Sequence, residues 1–237
     1  MTGLASRCVL VTGGTGALGR AVVKRFLQEG ATVHVPWVSE PELRDVERHL
    51  GDTFRRTVMH RCDVTTDAEV GSLFRAIRDS GATVDVLANI VGGFVHGAVE
   101  ETPPDAWERM LRVNATSAFL CSRAAIPDMK AKRWGRIITV SSAPAVNHGA
   151  ANLSAYSAAK AAVLNLTESL AKELVGSSIT VNSIVPTVID TPANRSGSPG
   201  ADTSTWLAPQ DIAGVIAFLA SDAAGIVTGT AVNLSRG

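Results

Sequence analysis

Apolar and polar positions along the chain follow two periods in turn. "CVLVTGG", from Cys8, is a short apolar run closed by glycines; "ALGRAVVKRFLQEG" then repeats apolar residues at helical spacing until Gly30. The pairing recurs: strand "ATVHVPWV" and helix "PELRDVERHL", strand "TVMHRCDV" and helix "DAEVGSLFRAIRDSG". Strand "VDVLANIVGG" precedes a long helix that opens at Thr102-Pro103-Pro104-Asp105, with cap residues and prolines at its start, and runs to about Lys132. "GRIITVSS" is a strand, residues 153 to 174 a helix, "SITVNSIVP" a strand, "PQDIAGVIAFLAS" a helix and "GTAVNLS" the last strand. Such alternation predicts an α/β fold, a doubly wound parallel sheet, as a single domain over residues 1–237. One long stretch escapes both periods: residues 191–206, "TPANRSGSPGADTSTW". Long loops in compact domains tend to be lids or binding segments, so this one is read as a substrate loop.

Composition narrows the class. Hydrophobic residues make up 46% with only 5% aromatic, which suits buried parallel strands under helices. Basic and acidic residues cancel at 22 each, so no basic field invites nucleic acid, and "KAKRWGR" reads as a solvated loop. No apolar run reaches the roughly 18 residues a membrane helix needs, so no membrane partner is expected. The first residues lack the basic and apolar regions of a signal peptide, and a cytoplasmic protein is expected. Cys8, Cys62 and Cys121 are odd in number and far apart, which reads as small buried side chains in a reducing compartment; the five histidines show no ligand spacing, so no metal is expected.

Chemistry enters at the first turn. Gly14-x-Gly16-x-x-Gly19 lies between a strand and a helix. Glycines let backbone approach a phosphate, and the helix N-terminus supplies N–H donors and a positive dipole end, so a dinucleotide is the expected ligand. The second strand ends in Pro36, Trp37 and Val38, without the acidic ribose reader of many such sites and without an arginine. A missing carboxylate removes a repulsion against a 2′-phosphate, so the cofactor expectation, NADP or NAD, tilts to NADP. Ser39 and Arg20 stand near enough to be weighed as phosphate contacts, though each reads as an ordinary surface residue.

The chain's single tyrosine, Tyr156, stands four residues before Lys160, and positions i and i+4 share a helix face. A free phenol titrates near pH ~10, too high for proton transfer at neutrality. A cation about 4 Å away in a partly buried site contributes roughly 4 kcal/mol before desolvation. Lys160 is therefore expected to draw the phenol toward neutrality, where it can give or take a proton.

The glycine turn, "CDV", Asn89, Asn114, "VSS", Tyr156-x-x-x-Lys160 and "VPTVIDTP" occur in this order. In that arrangement the chain resembles the short-chain dehydrogenases/reductases along essentially its whole length. The resemblance implies a Rossmann fold, hydride exchange between NADP or NAD and a small carbonyl or alcohol substrate, and a homodimer or homotetramer. It places Thr12, Gly13, Thr15, Gly16, Ala17, Leu18 and Gly19 around the pyrophosphate, Trp37 on the cofactor, and Asp63 and Val64 at the adenine. Asn89 takes the place of the family's first asparagine after the fourth strand. Asn114, Ser142, Tyr156 and Lys160 would form the catalytic tetrad, Tyr156 and Lys160 also meeting the cofactor. Pro186, Val188, Ile189 and Thr191 would line the nicotinamide. For Asp63 a helix cap remains an equally open reading; for Asn114 a stitch to a neighbouring strand is compatible with that polar task.

Departures accompany the likeness. Ala17 replaces the middle glycine of the turn, "NIVG" stands for N-N-A-G, and Pro186-Thr187 for P-G. Ser142 lies one residue farther from Tyr156 than the family's spacing sets; Ala143 holds that place, and Ser141 is the alternative. Only one of two adjacent strand residues can face the cleft, and Ser142 is the choice. "GALG" and the 191–206 segment also resemble dihydropteridine reductases locally, which makes a quinonoid dihydropterin an alternative substrate; a non-catalytic dinucleotide sensor is a third reading. Phe94, His96, His148, Asn194, Arg195 and Trp206 flank strand ends as pocket candidates.

Overall fold

A computed structural model describes residues 3–236; Met1, Thr2 and Gly237, at the limits of the expected 1–237 domain, lie outside the described residues. The chain starts with β1 (Cys8–Thr12), α1 (Ala17–Gln28), β2 (Thr32–Trp37), α2 (Glu40–Leu50), β3 (Thr57–Arg61) and α3 (Asp67–Asp79). It continues with β4 (Val86–Asn89), α4 (Pro104–Met110), α5 (Ser117–Lys132), β5 (Gly135–Val140), α6 (Ala143–Val146) and α7 (Ser154–Glu173). It ends with β6 (Ile179–Pro186), α8 (Pro192–Gly197), α9 (Pro209–Leu219) and β7 (Ala231–Leu234).

The strands form one seven-stranded sheet in the order β3-β2-β1-β4-β5-β6-β7, parallel at every pairing. The chain winds outward from β1, returns to β4 and winds outward the other way. The switch between β1 and β4 opens a crevice beyond the strand C-termini, where ligands bind in folds of this kind. Alternation along β1 divides the core. Val9 and Val11 pack with α1, α2 and α9, whereas Cys8 and Leu10 pack with α3, α5 and α7. The fold expectation is thus borne out, and no helix among the described residues is long and apolar enough to cross a membrane.

Two segments depart from the sequence reading. The long helix through Lys132 is interrupted by a π-helical stretch, Leu111–Thr116, between α4 and α5. Asn114 is its cause: its amide donates to the Met110 carbonyl at 3.0 Å, so a side chain competes with the backbone ladder there. The 191–206 segment is not wholly irregular. Thr191 caps α8 by accepting from the Asn194 N–H at 3.2 Å, and Pro192 suits its first turn. A bridge between Ile189 and Leu207 closes the segment's base.

Candidate active site

The glycine turn is built by steric demand at two positions. Gly13 has φ +68°, and a Cβ there would lie 2.8 Å from the Val91 nitrogen. A Cβ on Gly19 would fall 1.9 Å from the Gly13 carbonyl oxygen. Gly16, by contrast, would meet only that oxygen, at 3.5 Å, so glycine is not forced there by space. Gly16 is the N-cap of α1, no side chain caps the helix, and its first turn holds no acid. The N–H groups of the first turn, beginning at Ala17 and Leu18, therefore keep their affinity for an anion. Thr12 is buried with its hydroxyl oxygen accepting from the Ile90 and Val91 N–H groups at 3.1 and 3.3 Å. It fixes the turn against the β4 loop. Ala17 and Thr191 meet across a cleft of about 350 Å³ that Arg20, His49 and Arg195 also line. Burial and the nearby Arg20 and Lys24 hold the His49 pKa below its usual value.

The remaining cofactor-side positions are divided. Trp37 closes β2, half-buried. Asp63 accepts from the Thr65 N–H and hydroxyl at 2.9 and 2.8 Å, so it caps the turn before α3; Val64 beside it is buried. Asn89 ends β4 and donates to Ser122 at 3.3 Å, while its buried carbonyl oxygen has no partner among the described residues. Pro186 ends β6, and Val188 is partly exposed just beyond it. Asp190 is bound at 2.6 and 2.7 Å by Arg195, whose guanidinium lowers the Asp190 pKa.

The four residues expected to act together come from β5, α7 and the π stretch. Lys160 is buried, and its ammonium donates to the Val140 carbonyl at 2.9 Å, its one hydrogen bond among the described residues. Burial brings its pKa down to about 8. Asn114 holds Gly93 from both sides, accepting its N–H and donating to its carbonyl, each at 3.2 Å. Asn114 thus ties its helix to the loop after β4 rather than to a strand. Gly92 separates Asn114 from Lys160 so tightly that a Cβ would stand 2.8 Å from Asn114 Oδ1 and 3.1 Å from Lys160 Nζ.

The serine pair resolves by geometry. Ser141 donates to the Lys160 carbonyl at 2.8 Å, which ties β5 to α7 and commits that hydroxyl. Ser142 is near enough to Tyr156 to act on its pKa. Phe94 meets the Tyr156 ring edge-on, with centroids 5.0 Å apart.

One expectation is corrected. Burial raises the Tyr156 pKa, and the influence lowering it is Ser142, not Lys160. The ammonium stands 6.0 Å from the ring centroid, and it is the lysine that yields most to burial. Of the pocket candidates, Phe94 reaches the tyrosine; His96 and His148 are exposed, Asn194 and Arg195 serve α8 and Asp190, and Trp206 is buried.

Three contributors escaped the sequence reading. Gly92 and the Val140 carbonyl shape the lysine's surroundings, and "GG" after a strand was the available signal for the first. Glu42, on α2, accepts from the Thr15 hydroxyl at 2.7 Å, and its place about 20 residues beyond the glycine turn was the signal for it.

These features suit a dinucleotide. The Gly13–Gly19 contact makes a cradle any side chain would fill, α1 offers uncapped N–H groups, and the buried Lys160 ammonium holds one protein partner. No cluster of three or more metal-ligating side chains occurs among the described residues.

Comparisons with known proteins agree with this geometry. Residues 7–201 match the family model described as short chain dehydrogenase. The D-beta-hydroxybutyrate dehydrogenase of Rhizobium meliloti is 30% identical, the match covering 98% of each chain. The cis-4-hydroxycyclohexanecarboxylate dehydrogenase of Sinomonas cyclohexanicum is 35% identical over 98% of this chain and 96% of its own. A solved structure, a putative gluconate dehydrogenase from Agrobacterium tumefaciens, superposes with TM-score 0.91 at 25% identity, covering 98% of this chain and 96% of that one.

Proposed function

Because the chain belongs to the short-chain dehydrogenase family of oxidoreductases, we propose that it interconverts a small carbonyl and the corresponding alcohol, with Tyr156 as the proton carrier. The observation carrying this reading is a buried Lys160 ammonium with one protein partner, 6.0 Å from the Tyr156 ring centre on the same helix. A bound nicotinamide dinucleotide supplies or accepts the hydride. Gly13, Gly19 and the first turn of α1 would hold its pyrophosphate, and Lys160 its nicotinamide ribose.

The residues then have separable tasks. Burial keeps the phenol protonated at neutral pH, the form that donates to a carbonyl oxygen gaining charge. Ser142 donates to the same oxygen and steadies that charge. Below pH about 8 Lys160 is an ammonium, a proton source from which the phenolate would be re-protonated. Asn114 fixes the Gly92–Gly93 segment against the lysine and would anchor a water on the proton's route. The α8 segment, latched by Asp190 and Arg195, would cover the substrate.

Relatives' names carry a hydroxyl or oxo group on an acid or acyl chain, as in the 3-oxoacyl-(acyl-carrier-protein) reductase of Vibrio cholerae, 31% identical. Short hydroxy and oxo acids therefore head the substrate panel, with quinonoid dihydropterin included. On whichever member turns over, Tyr156→Phe should lower kcat about 10³-fold with cofactor affinity retained, the upper range for a lost acid–base group. Full activity in that variant would refute the mechanism, and cofactor binding without turnover across the panel would favour a sensor. The assembly is read as a homodimer or homotetramer, with half-exposed Phe119 of α5 and Phe218 of α9 available to it; a monomer mass in light scattering would contradict that.

A further inference from the structure

The β2–α2 corner carries a carboxylate that its sequence assigns to another task. Ser39 is the N-cap of α2, and Glu42 stands three residues on, the spacing of a capping box. In that motif the serine caps the helix and the glutamate turns back to the serine's N–H. Ser39 makes no side-chain cap bond here. Glu42 instead accepts a hydrogen bond from Thr15, 27 positions away in the glycine turn, at 2.7 Å. Thr15 is buried, so the anchoring end is fixed, while Glu42 itself is exposed. The carboxylate is thus held on the rim of the turn that receives the dinucleotide.

The start of α2 is acidic, although Arg20 lines the neighbouring cleft and Arg61 is in register with Trp37. Glu40 and Glu42 both lie in the first turn of α2 and neutralise the helix end that would otherwise attract a phosphate. The end of β2 adds no cation: Pro36, Trp37 and the exposed Val38 are neutral. A carboxylate accepts hydrogen bonds from vicinal hydroxyls and repels a dianionic phosphate in the same position.

Resting on the dinucleotide reading above, we propose that Glu42 is the adenosine-ribose reader of this protein and that it selects NAD(H) over NADP(H). It substitutes, from α2, for the carboxylate missing from the end of β2. The tilt toward NADP drawn from that missing residue is thereby reversed: the sequence lacks an acid at the strand end, but the fold returns one from the next helix.

Equilibrium titration of nicotinamide fluorescence on the full chain tests this without any substrate. Wild type should bind NADH at least 10-fold more tightly than NADPH. In Glu42→Gln the NADH-to-NADPH affinity ratio should fall below 3, chiefly through tighter NADPH binding. Thr15→Val, which frees the carboxylate without removing its charge, should give an intermediate ratio. Glu42→Gln is at an exposed position and Thr15→Val keeps the shape of the buried side chain, so both should fold, and unchanged melting temperatures would confirm it. Equal binding of the two cofactors by wild type, or a ratio unmoved in Glu42→Gln, overturns the role of Glu42 while leaving the dinucleotide site intact. Binding of neither cofactor overturns the site reading and this inference together.

Discussion

Two cations are buried at opposite ends of the same strand, and their surroundings differ in kind. Arg136, near the start of β5, is 4% exposed; Lys160, beside its end, is 5% exposed. The arginine donates to the carbonyls of Ser221, Gly135 and Ser178 at 3.2, 2.8 and 3.3 Å and stacks 4.4 Å from the Trp134 ring, which Arg7 also faces at 3.7 Å. The lysine donates once, to Val140. Burial lowers both pKa values, but only the lysine comes within reach of neutral pH. The same contrast runs along β4. Before it Asp85 accepts from the Cys8 N–H and Lys132, whereas at its far end the Asn89 carbonyl oxygen has no partner among the described residues. At the strand starts the charged groups are paired, although the Thr180 hydroxyl beside Arg136 is buried without a partner among the described residues. At the strand ends a buried ammonium and a buried amide oxygen keep polar capacity unspent at a cost to stability, as a site rather than a scaffold would.

Removing the satisfied cation should have the largest effect on stability. Arg136→Met removes the donor from three carbonyls, two of them in buried hydrogen bonds, and should destabilise the fold by about 3 kcal/mol, lowering Tm by roughly 6–12 °C. The activity of the folded fraction should be unchanged. Denaturant titration beside a kinetic assay checks both; an Arg136→Met protein as stable as wild type would erase the contrast.

Removing the unsatisfied cation should act the other way. Lys160 titrates at about 8 in the fold against 10.5 in its reference state, so the folded chain disfavours its charge. Its destabilising effect is complete below pH about 8 and fades as pH rises through 10.5, because there the unfolded chain holds the extra proton. Without cofactor, Lys160→Met should therefore be more stable than wild type by about 2 kcal/mol at pH 7, the advantage shrinking toward pH 10. Activity should fall sharply in the same variant. Urea titrations at pH 7 and 10 read the difference directly.

What the sequence revealed follows from how local each cause is. Strand and helix periods survive in any window, so the sheet and its winding were legible. So was the Tyr156–Lys160 pair, because both residues ride one helix. The partner of Ser141, the Lys160 carbonyl, belongs to another element and could not be read locally. The π stretch needed the Asn114 amide to find Met110. In α8 the Gly and Ser that follow Thr191 and Pro192 hide a short helix from any periodicity. The phenol's pKa was misjudged because helical spacing reports proximity and says nothing of burial. Glu42 had a signal in its distance from the glycine turn, but its local motif spells a cap, and only the fold shows it bound to Thr15.

The central claim is that the buried Lys160 ammonium reserves its remaining donors for a bound dinucleotide. The direct measurement is the NADH-induced shift in unfolding free energy at pH 7, compared between wild type and Lys160→Met. At about 100 times Kd, NADH should stabilise wild type by about 2.7 kcal/mol. At that same NADH concentration Lys160→Met should gain less than half as much, despite starting from the more stable cofactor-free state. Equal gains in the two proteins would contradict the claim and leave Lys160 a buried cation with no ligand to serve.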